Sequence, residues 1–158
     1  MPQIRNGSIE DAASILKNSA ARLIARGEKL WDLGDLDAES LLRKNHPDEC
    51  FVYYENEIPI ATMMLTFVDE LFWPDIRENE SGFIHKLAVA KEYAGQDKPR
   101  KLIEYAIGVC KGREIRFLRL DCGADRMKLR NYYESMGFRK VGQRTVGSFE
   151  AALYELEF

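Results

Sequence analysis

The chain has 158 residues, 46% of them hydrophobic and 31% charged, with a formal net charge of −3 at pH 7. This is the size of one domain with a sizeable core, and the balance of residue types excludes a disordered or fibrous chain. Mild acidity leaves no footprint for nucleic acid, no apolar run approaches the roughly 20 residues that span a bilayer, and the opening MPQIRNGSIE lacks the apolar centre of a signal peptide, so a cytoplasmic protein is expected.

In chain order, Ile4 and Arg5 open a short strand. Ser8 to Asp11 has the form of a capping box, and Ile9, Ala12, Ala13, Leu16, Ala20, Leu23 and Ile24 recur at helical spacing until Gly27, which is placed to end the helix. A connection from Glu28 to Leu36 carries Trp31, after which Asp37 can cap a short second helix through Leu41 and Leu42. Phe51 to Tyr54 and Ile58 to Val68 read as strands joined by a turn at Glu55-Asn56-Glu57, with Pro59 near the start of the second strand. Asp69 to Ser81 is a long acidic connection bearing Phe72, Trp73 and Pro74.

A strand at Gly82 to Ala90, a helix at Pro99 to Cys110 and a strand at Ile115 to Leu120 form a crossover unit whose strands should run parallel. Leu102, Ile103, Ala106, Ile107 and Cys110 give that helix its buried stripe, and Gly112 is placed to close it. Asp125 is placed to cap a last helix carrying Met127, Leu129, Tyr132, Tyr133 and Met136; Gly137 supplies its left-handed end and Phe138 folds back on it. Arg139 to Val146 and Ala151 to Phe158 return to strand character. The order predicts an α/β fold: one domain over residues 1–158, with a mixed sheet of six or seven strands flanked by about four helices. An exposed sheet edge at Ala151 to Phe158 makes a homodimer compatible with this plan.

Cys50, Cys110 and Cys122 are odd in number and scattered, with only His46 and His85 as companions. Neither a disulfide framework nor a zinc site is indicated, no metal is expected, and buried reduced thiols are.

The run Leu-Arg-Leu-Asp-Cys at 118–122, followed by Tyr-Tyr-Glu-Ser-Met-Gly-Phe at 132–138 and preceded by FIHKLAV at 83–89, resembles the GNAT superfamily of acyl-CoA-dependent N-acyltransferases, over nearly the whole chain. The resemblance implies an enzyme that transfers an acetyl group from acetyl-CoA to the primary amine of a small molecule or an exposed amino group, a peptide amine included, by direct attack. It implies that the backbone of Leu87, Ala88 and Val89 holds the pantetheine arm where the central strand splays from its parallel neighbour, and that Tyr133 is the general acid for the leaving thiolate. Tyr132 reads as a packing residue. His85 is the obvious titratable group on the central strand; histidine's ordinary pKa of about 6.5 suits deprotonation of an ammonium, and the same residue also suits a structural hydrogen bond. Asp69 and Glu70 are further candidates for the base.

The resemblance puts the pyrophosphate turn at 94–101, with Gly95, Gln96, Lys98, Arg100 and Lys101 as phosphate ligands. Asp97 and Pro99 stand where the family has glycines. Proline removes an amide donor, and the aspartate can cap the helix with its own charge, so a catalytically degenerate binding or regulatory module is the alternative reading. Arg126 stands where the family often has an asparagine that touches the cofactor. On the acceptor side the resemblance points to Trp31, Glu70, Phe72 and Trp73, whose exposed aromatic rings beside Asp69, Asp75, Glu78 and Glu80 could draw in a cationic amine, or else anchor the loop to the core. No membrane or nucleic-acid partner is expected.

Overall fold

The computed structural model describes residues 2–28, 31 and 33–158; positions 29, 30 and 32 of the connection after the first helix lie outside the described residues, as does position 1. The elements are β1 (Pro2–Asn6), α1 (Ile9–Ala25), α2 (Ala38–Lys44), β2 (Cys50–Glu55), β3 (Ile58–Thr66), β4 (Gly82–Val89), α3 (Pro99–Gly112), β5 (Phe117–Gly123), α4 (Met127–Ser135), β6 (Arg139–Val146) and β7 (Phe149–Glu157). The strands form one mixed sheet ordered β1-β2-β3-β4-β5-β7-β6. Seven strands and four helices fall within the expected six or seven strands and about four helices, with one correction to the sheet's edge. The last strand is not an edge: β7 lies between β5 and β6, and the edge at that end is β6, whose Arg139, Lys140 and Arg144 give it the charge that discourages pairing with another chain.

Contacts group the chain into two compact units, Met1–Leu65 with Lys86–Tyr105, and Thr66–His85 with Ala106–Phe158. In the first, β1, β2 and β3 are antiparallel, and the turn between β2 and β3 has φ of 51° at Asn56 and 66° at Glu57, the double left-handed form that matches strand twist. Leu16, Leu36, Leu41, Val52 and Met64 meet in its core, each contributing about 1.5–3 kcal/mol on burial. The expected capping box at Ser8 does not form; no side-chain cap bond is made, and Asp11 accepts the Tyr54 hydroxyl from β2 instead, a tertiary partner displacing a local one. Asp37 does cap α2, taking the Ser40 amide at 2.7 Å, and that bond lowers its pKa.

In the second unit β5 pairs antiparallel with β7 along its whole length, and β6 with β7. Helices α1 and α4 end as expected at Gly27 (φ 78°) and Gly137 (φ 98°); in each, the residue after glycine donates back five positions, Glu28 to the Leu23 carbonyl and Phe138 to the Tyr133 carbonyl. Helix α3 departs from expectation. It runs through Gly112, and the left-handed residue is Glu114 (φ 61°), with Ile115 donating back to Cys110. Asp125 does not cap α4 either, because the Arg126 amide turns back to the Gly123 carbonyl and moves the capping position on to Arg126.

All three cysteines are free and buried, and burial pushes each thiol up to about 11. Among the described residues no helix is long and apolar enough to cross a membrane.

Candidate active site

The parallel ladder between β4 and β5 is short. It registers Gly82 with Leu118 and Phe83 with Arg119 and stops there, although both strands continue. Lys86, three residues further along β4, has φ of 50°, a left-handed conformation inside a strand that bends its course. The resemblance assigns an extended ligand to the backbone of the residues that follow, Leu87, Ala88 and Val89. Ala88 is buried in the core of the first unit, Leu87 and Val89 are half-buried, and β4 is followed by Ala90, whose amide is taken by the Ile60 carbonyl of β3 at 2.8 Å.

His85 lies two residues past the last ladder pair on β4, and Asp121 two residues past it on β5. Side chains alternate along strands, so both share the face of Phe83 and Arg119. The loop after β3 adds Asp69 to them. One ligand-type atom from each of Asp69, His85 and Asp121 lies within 4.8 Å of the other two, a donor set suited to a proton, an ammonium or a metal ion. Asp69 is held in place: its Oδ1 accepts the amides of Leu71 at 3.1 Å and Phe72 at 3.0 Å, and its carbonyl accepts the Trp73 amide. The His85 Nε2 meets Thr66 Oγ1 at 2.9 Å.

Tyr133 approaches β5 from its other face. Leu120 pairs across the ladder with Tyr154, and the Tyr133 ring centroid lies 6.4 Å from that of Tyr154 and 5.9 Å from that of Phe138. Arg119 and Asp121 therefore point to one side of the strand, and Leu120 and Cys122 point to the side of Tyr133. Helix α4 is fixed there by Tyr154, which donates to Glu134 at 2.5 Å and accepts from Arg130 Nε at 2.9 Å, while Arg130 also donates to the Ala124 carbonyl. Tyr133 is only 5% exposed, and burial, followed by the nearby Cys122 and Asp121, raises its pKa so that it stays protonated. The Tyr132 ring lies beside it, tilted by 56° at 6.1 Å between centroids, and is half-buried.

The turn at 94–98 is left-handed at Gly95 (φ 78°) and Asp97 (φ 59°) and leads into α3 at Pro99. Two of the cations here, Lys98 and Arg100, are already engaged. Lys98 Nζ contacts Glu55 of β2 at 2.8 Å, and Arg100 Nε contacts the Asp97 carboxylate at 2.6 Å. Gln96 donates to the Glu92 carbonyl, and Lys101 is exposed on the first turn of α3. Three cations at a helix N-terminus fit a polyphosphate, which would compete there with Glu55 and Asp97. Arg126 is half-buried at the start of α4; a Cβ at Gly123 would sit 2.9 Å from its Cγ, so glycine permits this close turn.

The residues expected on the acceptor side are placed differently from the picture of an exposed aromatic wall. Trp73 is buried, 6.1 Å from the Phe83 ring, with the Arg119 guanidinium 5.3 Å above it and its own indole N–H without a partner. Phe72 is half-buried edge-on to Phe149. These rings anchor the loop, which leaves Glu70 exposed. Trp31 packs partly buried against the core of the first unit. Sequence reading missed Asp121 and Thr66. The signal for Asp121 was an acid inside the strand run Leu-Arg-Leu-Asp-Cys at 118–122; Thr66, at the end of an apolar strand, offered none.

Residues 18–138 match the model of the Acetyltransferase (GNAT) family. The Uncharacterized N-acetyltransferase YesJ of Bacillus subtilis (strain 168) is 31% identical, with 87% of this chain and 82% of that protein covered. Solved structures share the fold, three of them as follows. The GNAT family acetyltransferase of Listeria monocytogenes 4b F2365 has a TM-score of 0.74 at 21% identity, covering 99% of this chain and 95% of that one. PaiA N-acetyltransferase of Thermoplasma acidophilum, in complex with coenzyme A, has 0.73 at 16%, covering 100% and 99%. The ribosomal-protein-S18-alanine N-acetyltransferase of Escherichia coli has 0.72 at 18%, covering 99% and 94%. The chain belongs to the GNAT acetyltransferase family, and so to the acyltransferases.

Proposed function

We propose that this protein transfers an acetyl group from acetyl-CoA to a primary amine, of a small molecule or of an exposed amino group, by direct attack. The observation that carries the reading is the His85 imidazole grouped with Asp69 and Asp121 just where the β4–β5 ladder ends. Family membership and the coenzyme A in the Thermoplasma PaiA structure support acetyl-CoA as donor; the E. coli enzyme named for an alanine supports an amino-terminal acceptor as one option.

Acetyl-CoA supplies an activated acyl carbonyl with a thiol leaving group. In this reading the backbone of Leu87, Ala88 and Val89 holds its extended arm, and Gly95, Gln96, Lys98, Arg100, Lys101 and Arg126 hold its phosphates. His85 takes the proton of the acceptor ammonium, and Tyr133, kept protonated by burial, donates to the departing sulfur. Acid and base address opposite faces of β5, so neither neutralises the other directly. The reading takes residues 1–158 as one domain acting in the cytoplasm.

A second reading has its own observation. Lys98 and Arg100 are both held by carboxylates, as in a scaffold that lost productive cofactor binding through Asp97 and Pro99. Calorimetric titration with acetyl-CoA, with thiol release measured over a panel of amines, separates the two. The first predicts binding in the range of about 1 µM to 1 mM and turnover that falls on the order of 100-fold in Tyr133→Phe and in His85→Gln. Silence at millimolar acetyl-CoA, cured by Asp97→Gly with Pro99→Gly, would favour the second.

A further inference from the structure

Three segments of the second unit each bring one donor atom to the same place: Asp69 from the loop after β3, His85 from β4 and Asp121 from β5. The chain separates them widely, so no ligand spacing appears in the sequence. The sheet fixes two of the three, because His85 and Asp121 each lie two residues past the last β4–β5 pair and share a face. Asp69 is buried, with its Oδ1 held by the Leu71 and Phe72 amides. The three donor atoms lie within 4.8 Å of one another. Around one four-coordinate zinc ion, donors about 2.0–2.2 Å from the metal stand about 3.3–3.6 Å apart, so small side-chain rotations bring this set to bonding distance. Coordination displaces protons and hydrogen bonds, and so does not require any of the three to lack a partner. The loop that brings Asp69 also brings Trp73, buried beside Phe83 and Arg119, with an indole N–H that no described residue accepts. A buried donor of that kind suits a small oxygen ligand, such as the water that completes a three-residue metal shell.

We propose that Asp69, His85 and Asp121 form a binding site for a divalent transition-metal ion, zinc above all, which takes the place of the acceptor's ammonium and so inhibits transfer. One imidazole and two carboxylates select this class of ion: a nitrogen donor favours zinc, nickel or copper, whereas magnesium and calcium take shells of oxygen. The cysteines do not compete, since all three are buried in the fold. Binding of the ion stands apart from the role read for His85; the inhibition rests on that reading.

Calorimetric titration of the full chain with zinc chloride should show one ion bound per chain, with magnesium chloride weaker by about tenfold or more. His85→Gln should weaken zinc by on the order of 10- to 100-fold, as should Asp69→Asn, which keeps an acceptor for the Leu71 and Phe72 amides. His46→Asn, at an exposed imidazole beside Asp48, should not. The chain has two histidines, so in His46→Asn the imidazole 15N signals belong to His85 alone, and zinc must shift them. Unshifted signals overturn the proposal with the site itself untouched, and so does zinc affinity unaltered in a folded His85→Gln protein. Zinc should also slow acetylation of an alkylamine, in competition with the amine and with recovery on adding EDTA. That rate is read as acetylated amine, because the thiol of coenzyme A itself takes zinc. Zinc that shifts His85 yet leaves turnover unchanged upholds the ion site and overturns both the inhibition and the reading of His85 as the base.

Discussion

Arg119 and Asp121 stand two residues apart on β5 and face the same way, but their surroundings differ. Arg119 donates to Glu155 through Nε at 3.0 Å and Nη2 at 2.7 Å, to the Ser81 hydroxyl through Nη1, and lies over the rings of Trp73 and Phe117. Its charge is matched and its donors are used. Asp121 instead shares its neighbourhood with a second carboxylate and one imidazole. A charge paired with a carboxylate serves the scaffold, whereas two carboxylates beside one imidazole gather acidic and basic groups at one place. Along one strand, two positions facing the same way meet different sets of partners.

The largest expected effect tests the scaffold side. Arg119→Ala leaves the largely enclosed Glu155 with only Arg139, at 3.7 Å, and should cost about 3 kcal/mol in urea unfolding. Asp121→Asn should leave stability within about 1 kcal/mol of native but lower kcat/KM for an alkylamine by about tenfold or more. Equal stability losses in the two variants, with activity intact in the second, would erase the distinction. A smaller effect belongs to the end of α4. Gly137 has φ of 98° and a Cβ there would sit 3.3 Å from Leu156 Cδ1, so Gly137→Ala should cost about 1 kcal/mol by thermal melting. Smallest is Glu55→Gln, which frees Lys98 and should tighten acetyl-CoA binding severalfold by calorimetry. The bond from Lys98, then that from Tyr53, lowers the Glu55 pKa. The pairing therefore persists as pH falls into the ordinary glutamate range and is lost only below the lowered value, so mild acid should not imitate the substitution.

Local signals made the elements legible. Gly27 and Gly137 marked helix ends because few other residues tolerate a positive φ, and the apolar stripe of α3 appears in the structure with Leu102, Ile103, Ala106 and Cys110 buried. What failed was decided at a distance. Asp11 left its helix amide for Tyr54, 43 positions away, and Glu114 took a left-handed end that composition would have given to Gly112. The candidate site was half legible. His85 stood out as a titratable group in a strand, but its partners come from the end of β3, the following loop and β5, and only the sheet brings them together. Trp73 looked like an exposed aromatic because charge surrounds it in the sequence; in space it faces Phe83 and Arg119.

The buried cysteines have a practical consequence. Coenzyme A is itself a thiol, so turnover can be followed with a thiol-reactive dye, and Cys50, Cys110 and Cys122 lie inside the fold with thiols that hardly ionise near neutral pH. The native protein should add almost no background to such an assay. Slow labelling of these same three sulfurs in the absence of substrate would then clock how often the molecule opens.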